Sequence, residues 1–68
     1  MSTTAWERRK ALSNQLRGVW DAKRDGMEWE QAFIAARSAL VRAHQQDARI
    51  LHSMTWDEFK RLQGWAER

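Results

Sequence analysis

No proline interrupts this sequence, and its apolar residues recur every three or four positions along two long stretches. Such spacing places them along one side of an α-helix, whereas a strand would need strict alternation, which occurs nowhere in the chain. Good helix formers dominate the composition, above all alanine, arginine, leucine, glutamate and glutamine. The pattern therefore predicts an all-α fold.

Three helix starts can be recognised from side-chain chemistry. Thr4 is followed three residues later by Glu7, and Thr55 by Glu58. In such a capping box the hydroxyl and the carboxylate each accept a hydrogen bond from a backbone amide that the helix leaves unpaired. Asp25 is a good N-cap for a helix between these two, and the glycine after it suits the end of the first helix.

These starts divide the chain into two long helices and one short helix. The short link at Asp25 makes the first two helices an antiparallel hairpin, and the third helix folds back against them. A chain of 68 residues without cysteine has a small core and no disulfide, so a second copy could complete the bundle. We predict one domain over residues 1–68, a small three-helix bundle with helices over about residues 5–24, 27–51 and 56–66.

Small and apolar residues also lie outside the main helical faces. Gly18 lies inside the first helix, where glycine costs about 1 kcal/mol relative to alanine, so it indicates either close approach by a partner helix or a kink. Ile34 and Val41 lie seven residues apart, opposite Phe33, and either the third helix or another subunit must cover them. We predict a partner-binding surface made of Gly18, Ala11, Ala22, Ile34, Val41 and Trp65.

Five tryptophans are many for a chain of this length. Tryptophan fills cores, but it also anchors protein interfaces. Trp20 and Trp29 flank the hairpin turn and are predicted to be core residues. Trp6 and Trp56 stand at helix starts and are predicted to be half-buried, while Trp65, close to the end of the chain, is predicted to be an exposed anchor.

Positive charge is concentrated in the first helix. The whole chain has a net charge of +3, and its first 24 residues contain six basic and two acidic side chains, or +4. Lys10, Arg17 and Arg24 are spaced by seven residues and so lie along one strip, with Arg8 and Arg9 nearby. Such a strip can follow a phosphate backbone, bind an acidic protein surface or simply face solvent.

Asp47 interrupts the apolar face of the predicted second helix. A buried carboxylate needs a partner, which could be Arg49 or a basic residue of the first helix. Alternatively, the helix bends or ends near residues 45–46 and turns Asp47 outward, or Asp47 caps a new helix that starts at Ala48. Exposure or local pairing is favoured over a functional role.

Motifs for catalysis are lacking. His44 and His52 would be about 12 Å apart on one helix, too far to share a metal ion, and neither a phosphate-binding loop nor a nucleophile elbow occurs. We therefore expect no enzyme activity, cofactor, bound metal or small-molecule substrate. The absence of a signal peptide and of a run of about 20 apolar residues predicts a cytoplasmic protein without membrane contact.

The prediction that best fits these features is a small protein-binding module. It would be an adaptor, regulator or inhibitor, of the size common among phage and plasmid accessory proteins, and would dock on a larger protein through tryptophan and arginine side chains. The alternative is a nucleic-acid-binding or nucleoid-associated regulator that uses the basic strip. The third helix starts with two acidic residues, Asp57 and Glu58, which argues against its insertion into the major groove.

Overall fold

A computed structural model describes residues 4–65, and within that range the chain is all-α with no strand. The prediction of an all-α fold is therefore confirmed. Within the described residues, four α-helices and one short 3₁₀ turn follow one another. They are α1 (Ala5–Lys23), α2 (Trp29–Ala43), the 3₁₀ turn (Gln45–Asp47), α3 (Ala48–Ser53) and α4 (Trp56–Gln63).

The start of α1 is the predicted capping box. Thr4 Oγ1 accepts a hydrogen bond from the Glu7 amide at 3.1 Å, and Glu7 Oε1 accepts one from the Thr4 amide at 2.9 Å. At the other end, the Arg24 amide donates to the Trp20 carbonyl at 2.9 Å. Local chemistry thus fixes both ends of α1 within a residue of the prediction.

The link between α1 and α2 is longer than predicted. Gly26 has a φ of 75°, in the left-handed region that glycine adopts without strain, so the chain leaves the helical path there. The predicted start of the second helix next to Asp25 is therefore wrong, and α2 begins at Trp29, after Glu28. The Trp20 indole Nε1 donates to the Trp29 carbonyl at 2.9 Å and fastens the end of the turn to α1.

The single helix predicted over residues 27–51 is also wrong. The chain leaves the helix at His44, where φ is −134° and ψ is 70°, and continues through the 3₁₀ turn into α3. This break brings the Asp47 carboxylate, which would otherwise lie on an apolar face, into an ion pair with Arg8 of α1. Asp47 occupies the N-cap position of α3, but its side chain makes no capping hydrogen bond.

The last helix, α4, is capped at both ends. Thr55 Oγ1 accepts from the Glu58 amide at 3.1 Å. Gly64, with a φ of 83°, ends the helix after Gln63, and the Trp65 amide donates back to the Lys60 carbonyl at 2.9 Å. The helix is therefore shorter than predicted, and residue 66 lies outside the described residues.

The hydrophobic core lies between the α1–α2 hairpin and the shorter helices. At its centre Trp20 is 1% exposed and lies among aromatic rings from α2, from α4 and from the residue that follows Gly64. Throughout residues 4–65, every helix is too short or too polar to cross a lipid bilayer. The buried apolar residues are Leu12, Leu16, Trp20, Ala32, Phe33, Ala36, Leu40, Leu51, Met54 and Phe59.

Candidate functional site

The first basic residues of α1 are used to hold the fold together. Arg9 makes a two-pronged contact with Glu58, from Nε to Oε2 at 2.6 Å and from Nη2 to Oε1 at 2.7 Å. Arg8 pairs with Asp47, and Lys10 Nζ donates to the carbonyl of a leucine in α4, Leu62. Three consecutive basic side chains therefore tie α1 to the segments that follow α2.

The other two residues of the predicted basic strip lie against aromatic rings. The guanidinium carbon of Arg17 is 4.9 Å from the centre of the Trp65 ring, and that of Arg24 is 5.0 Å from the centre of the Trp20 ring. Asp21 also lies within 3.3 Å of Arg17 and 3.6 Å of Arg24. The strip is therefore partly neutralised, although the outer parts of both arginines remain exposed to solvent.

Glu58 is the acidic group whose ionisation is most affected by these contacts. The hydrogen bonds from Arg9, and its positive charge, lower the pKa of Glu58 below its ordinary value, although partial burial opposes the shift. The same hydrogen bonds raise the pKa of Arg9. The ion pair therefore stays charged on both sides to a lower pH than an unpaired glutamate would allow.

Lowering the pH is expected to weaken the junction between α1 and α4 through Glu58. A carboxylate whose pKa is lower in the folded state stabilises the protein above its unfolded pKa, and this contribution disappears as the pH falls through the folded value. Urea unfolding of Glu58→Gln between pH 7 and pH 3 should therefore depend less on pH, by about 1 kcal/mol in total. Asp57→Asn, at an exposed neighbour, is the control, and parallel curves for Glu58→Gln and the wild type would contradict the assignment.

The predicted partner surface is distributed over several parts of the molecule. Ala11, Gly18 and Ala22 are exposed on α1, and a Cβ added to Gly18 would meet no atom within 4 Å beyond its chain neighbours and the backbone of its own helix. Ile34 is 39% exposed on α2. These four residues are accessible, as a partner-binding role would require, but whether they bind a partner remains a prediction.

Two residues of the same predicted surface are less accessible than expected. Val41 is half-buried and packs against the core. Trp65 is not an exposed anchor, because its ring lies 5.1 Å from that of Trp20 and 5.6 Å from that of Phe59. The left-handed turn at Gly64 folds Trp65 back over the core, which the position of Trp65 near the end of the chain did not indicate.

Two other tryptophans are the exposed ones. Trp6 is 62% exposed and Trp29 is 55% exposed, whereas both were predicted to be more buried. Trp6 lies ten residues before Leu16, which at about 100° per residue places it about 80° away around the helix. That angle places Trp6 at the edge of the apolar face. This position around the helix is the sequence feature from which its exposure could have been predicted. Trp56, half-buried as predicted, packs against the core.

Trp6 forms one wall of an open groove against α4. The groove has a volume of about 390 Å³ and is lined by Trp6, Glu58, Arg61 and Leu62. Both carboxylate oxygens of Glu58 already accept from Arg9, so Arg61 provides the positive charge available to a ligand. We call this the Trp6 groove. It combines an apolar wall with a guanidinium group.

Trp29 is the first residue of α2 and lies near the end of α1 that is opposite to Trp6. Asp25, Glu28 and Glu30 surround it in the sequence, all three are exposed, and within residues 4–65 none of them forms an ion pair. Met27, in the same segment, is exposed as well. We call residues 25–30 the loop tip. It combines an exposed indole with uncompensated negative charge.

A second cleft, of about 290 Å³, lies where the chain breaks after α2. Its walls are mostly polar and include Arg8, Gln15, His44 and Asp47, with Ala11 between them. Two charged groups in its walls, those of Arg8 and Asp47, already pair with each other. In the described part of the chain, no three potential metal-ligating side chains come together, and the break separates His44 from the helix that contains His52.

Comparisons with protein-family models, with curated proteins and with solved structures found no match to this chain. The Trp6 groove and the loop tip each combine a mostly exposed tryptophan with charged neighbours. Tryptophan and arginine are among the residues most enriched at the positions that dominate the binding energy of protein interfaces.

Proposed function

We propose that the protein is a non-enzymatic protein-binding module that docks on a larger protein through the Trp6 groove. The observation that carries this proposal is the 62% exposure of Trp6 beside Leu62 and Arg61. Fully burying a large apolar side chain contributes about 1.5–3 kcal/mol, so an exposed indole at a groove is a source of binding energy. An adaptor, a regulator or an inhibitor would all use such a surface.

A protein partner is favoured over a nucleic acid by the placement of the basic residues. Arg9 and Lys10 bind groups of α4, and Arg8 binds Asp47. A phosphate backbone would have to compete with these internal partners for the same guanidinium and ammonium groups. Arg17 and Arg24 lie beside Asp21, which repels phosphate.

Affinity purification of the tagged protein from its native host, with and without nuclease, tests this proposal. We expect a distinct protein to be retained after nuclease treatment, and Trp6→Ser to reduce its recovery at least tenfold, because truncation of an interfacial tryptophan typically costs about 2 kcal/mol or more. Trp6 is exposed, so the variant should remain folded, which circular dichroism can verify.

Two control variants make the outcome specific. Gln31→Ala changes an exposed polar residue of α2 and should leave recovery unchanged. Ile34→Ser removes the exposed apolar residue of the sequence-predicted surface. Loss of the partner with Ile34→Ser but not with Trp6→Ser would move the docking site to the outer face of α2, and loss on nuclease treatment would favour the nucleic-acid alternative.

A further inference from the structure

We propose that a second copy of this chain occupies the Trp6 groove, with its loop tip inserted so that Trp29 of that copy packs against Trp6 and Leu62. The proposal deepens the proposed function by naming one partner of the same groove, and it rests on that groove being a protein-binding site. The chain contains both the groove and a segment of complementary chemistry.

The groove presents an apolar wall with a positive charge. Glu58 would oppose an acidic ligand if its charge were free, but Arg9 holds both of its oxygens, at 2.6 and 2.7 Å. Within residues 4–65 Arg61 is part of no ion pair, and its side chain is exposed. The fitting occupant is therefore a large apolar side chain with carboxylates next to it.

The loop tip has this combination. Trp29 is 55% exposed and stands between two exposed carboxylates, Glu28 and Glu30. Its carbonyl accepts a hydrogen bond from the buried Trp20, and its ring lies 5.5 Å from Trp20 and 6.1 Å from Trp65. The exposed indole is therefore already held in place, so less conformational entropy is lost when it binds.

The positions of the two surfaces allow the contact to be made twice. Trp6 lies in the first turn of α1 and the loop tip follows its last turn, so α1, with 19 residues, separates them by about 27 Å at 1.5 Å per residue. Both surfaces adjoin the segment from α4 to Trp65, since Glu58 and Leu62 of α4 line the groove and Trp29 packs on Trp65, just after the helix. Two antiparallel copies related by a two-fold axis can thus exchange loop tips and close as a dimer.

Charge reversal provides the sharpest test, because it changes exposed groups and leaves the core intact. Arg61→Glu makes the Trp6 groove negative like the loop tip. The double variant Glu28→Lys with Glu30→Lys makes the loop tip positive like the groove. In each variant alone, groove and tip repel one another at both contacts. We expect the dimer dissociation constant, measured by analytical ultracentrifugation at low salt, to rise about 100-fold in each.

An equimolar mixture of these two variants should recover association. In the mixed dimer, the negative groove meets the positive tip, and the positive groove meets the unchanged negative tip, so both contacts are complementary. Trp6→Ser should weaken the wild-type dimer at least as much, whereas Gln31→Ala should not. Circular dichroism spectra that match the wild type establish that each variant is folded.

Three results would overturn the proposal. They are a wild-type protein that stays monomeric at millimolar concentration, a mixture no more associated than its components, and a dimer that is insensitive to Trp6→Ser and to both charge reversals. A monomeric wild type whose Trp6-dependent capture of a larger protein persists would remove the second copy but leave the proposed function intact. Loss of that capture together with an intact, charge-sensitive dimer would remove the larger protein as a partner but leave the second copy as the occupant of the groove.

Discussion

Trp20→Ala is expected to lower the free energy of unfolding by about 4 kcal/mol, as is usual for removing a fully buried tryptophan. Trp20 is 1% exposed, and its ring lies within 6.5 Å of those of Trp29, Trp56, Phe59 and Trp65. At about 0.05–0.15 kcal/mol per residue, a chain of 68 residues has roughly 3–10 kcal/mol of stability in total. The variant should therefore lose a large share of the total stability of the fold.

Urea unfolding followed by circular dichroism measures this change. Trp6→Ala is the matched control, since it removes the same side chain from an exposed position and should cost less than about 1 kcal/mol. Trp20→Phe keeps a ring but removes the hydrogen bond from Nε1 to the Trp29 carbonyl, and should fall between the two. A Trp20→Ala variant no less stable than Trp6→Ala would show that the aromatic cluster does not hold the fold together.

The starts of α1 and α4 were the features that local sequence determined best. The hydrogen bonds at Thr4 and Thr55 join residues three apart, so their partners can be recognised in the sequence itself. The same reasoning failed at Glu58, whose side chain turns to Arg9 instead of back to the amide of its own N-cap. That choice depends on a residue 49 positions earlier in the chain.

The break after α2 could not be decided from sequence for a similar reason. Asp47 on an apolar face was compatible with burial, bending or a new cap, and its partner, Arg8, lies 39 positions away. The break is the arrangement in which Asp47 is both buried and paired. Spacing along one helix cannot distinguish these cases, because it contains no information about which side chain of another helix lies opposite.

The basic strip shows how a regular spacing can have a structural cause. Lys10, Arg17 and Arg24 are seven residues apart, as a strip following a phosphate backbone would require. In the structure the same spacing places them along the side of α1 that meets α4 and the aromatic cluster. Long basic side chains there cover apolar surface with their stems and reach internal acceptors with their heads.

The two proposals for the Trp6 groove are linked by competition. A larger protein and a second copy would bind the same indole and guanidinium, so they exclude each other at one groove. Raising the concentration of the purified protein should therefore weaken capture of the larger partner. The double variant Glu28→Lys with Glu30→Lys cannot self-associate through its loop tip. Its capture of the larger partner should therefore not depend on the concentration of the purified protein in this way.

Breaking the ion pair between Arg8 and Asp47 is expected to have the second largest effect on stability. The Asp47 side chain is 9% exposed and that of Arg8 is 49% exposed. Removing one partner of a fully buried pair costs about 3–5 kcal/mol; since solvent screens Arg8, we expect Arg8→Ala to cost about 2 kcal/mol. Most of this loss comes from leaving the Asp47 carboxylate desolvated without a partner.

A double-mutant cycle separates that penalty from the value of the pair itself. Asp47→Ala removes the charge that needs compensation, so adding Arg8→Ala to it should cost much less than Arg8→Ala costs in the wild type. We expect a coupling energy of about 1–2 kcal/mol from urea unfolding. Arg24→Ala, combined with Asp47→Ala in the same way, should be additive, because Arg24 lies over Trp20 at the other end of α1. Additive effects of Arg8→Ala and Asp47→Ala would mean that the ion pair between these residues does not stabilise the break after α2. Apolar packing of residues such as Leu40 and Leu51 would then stabilise it instead.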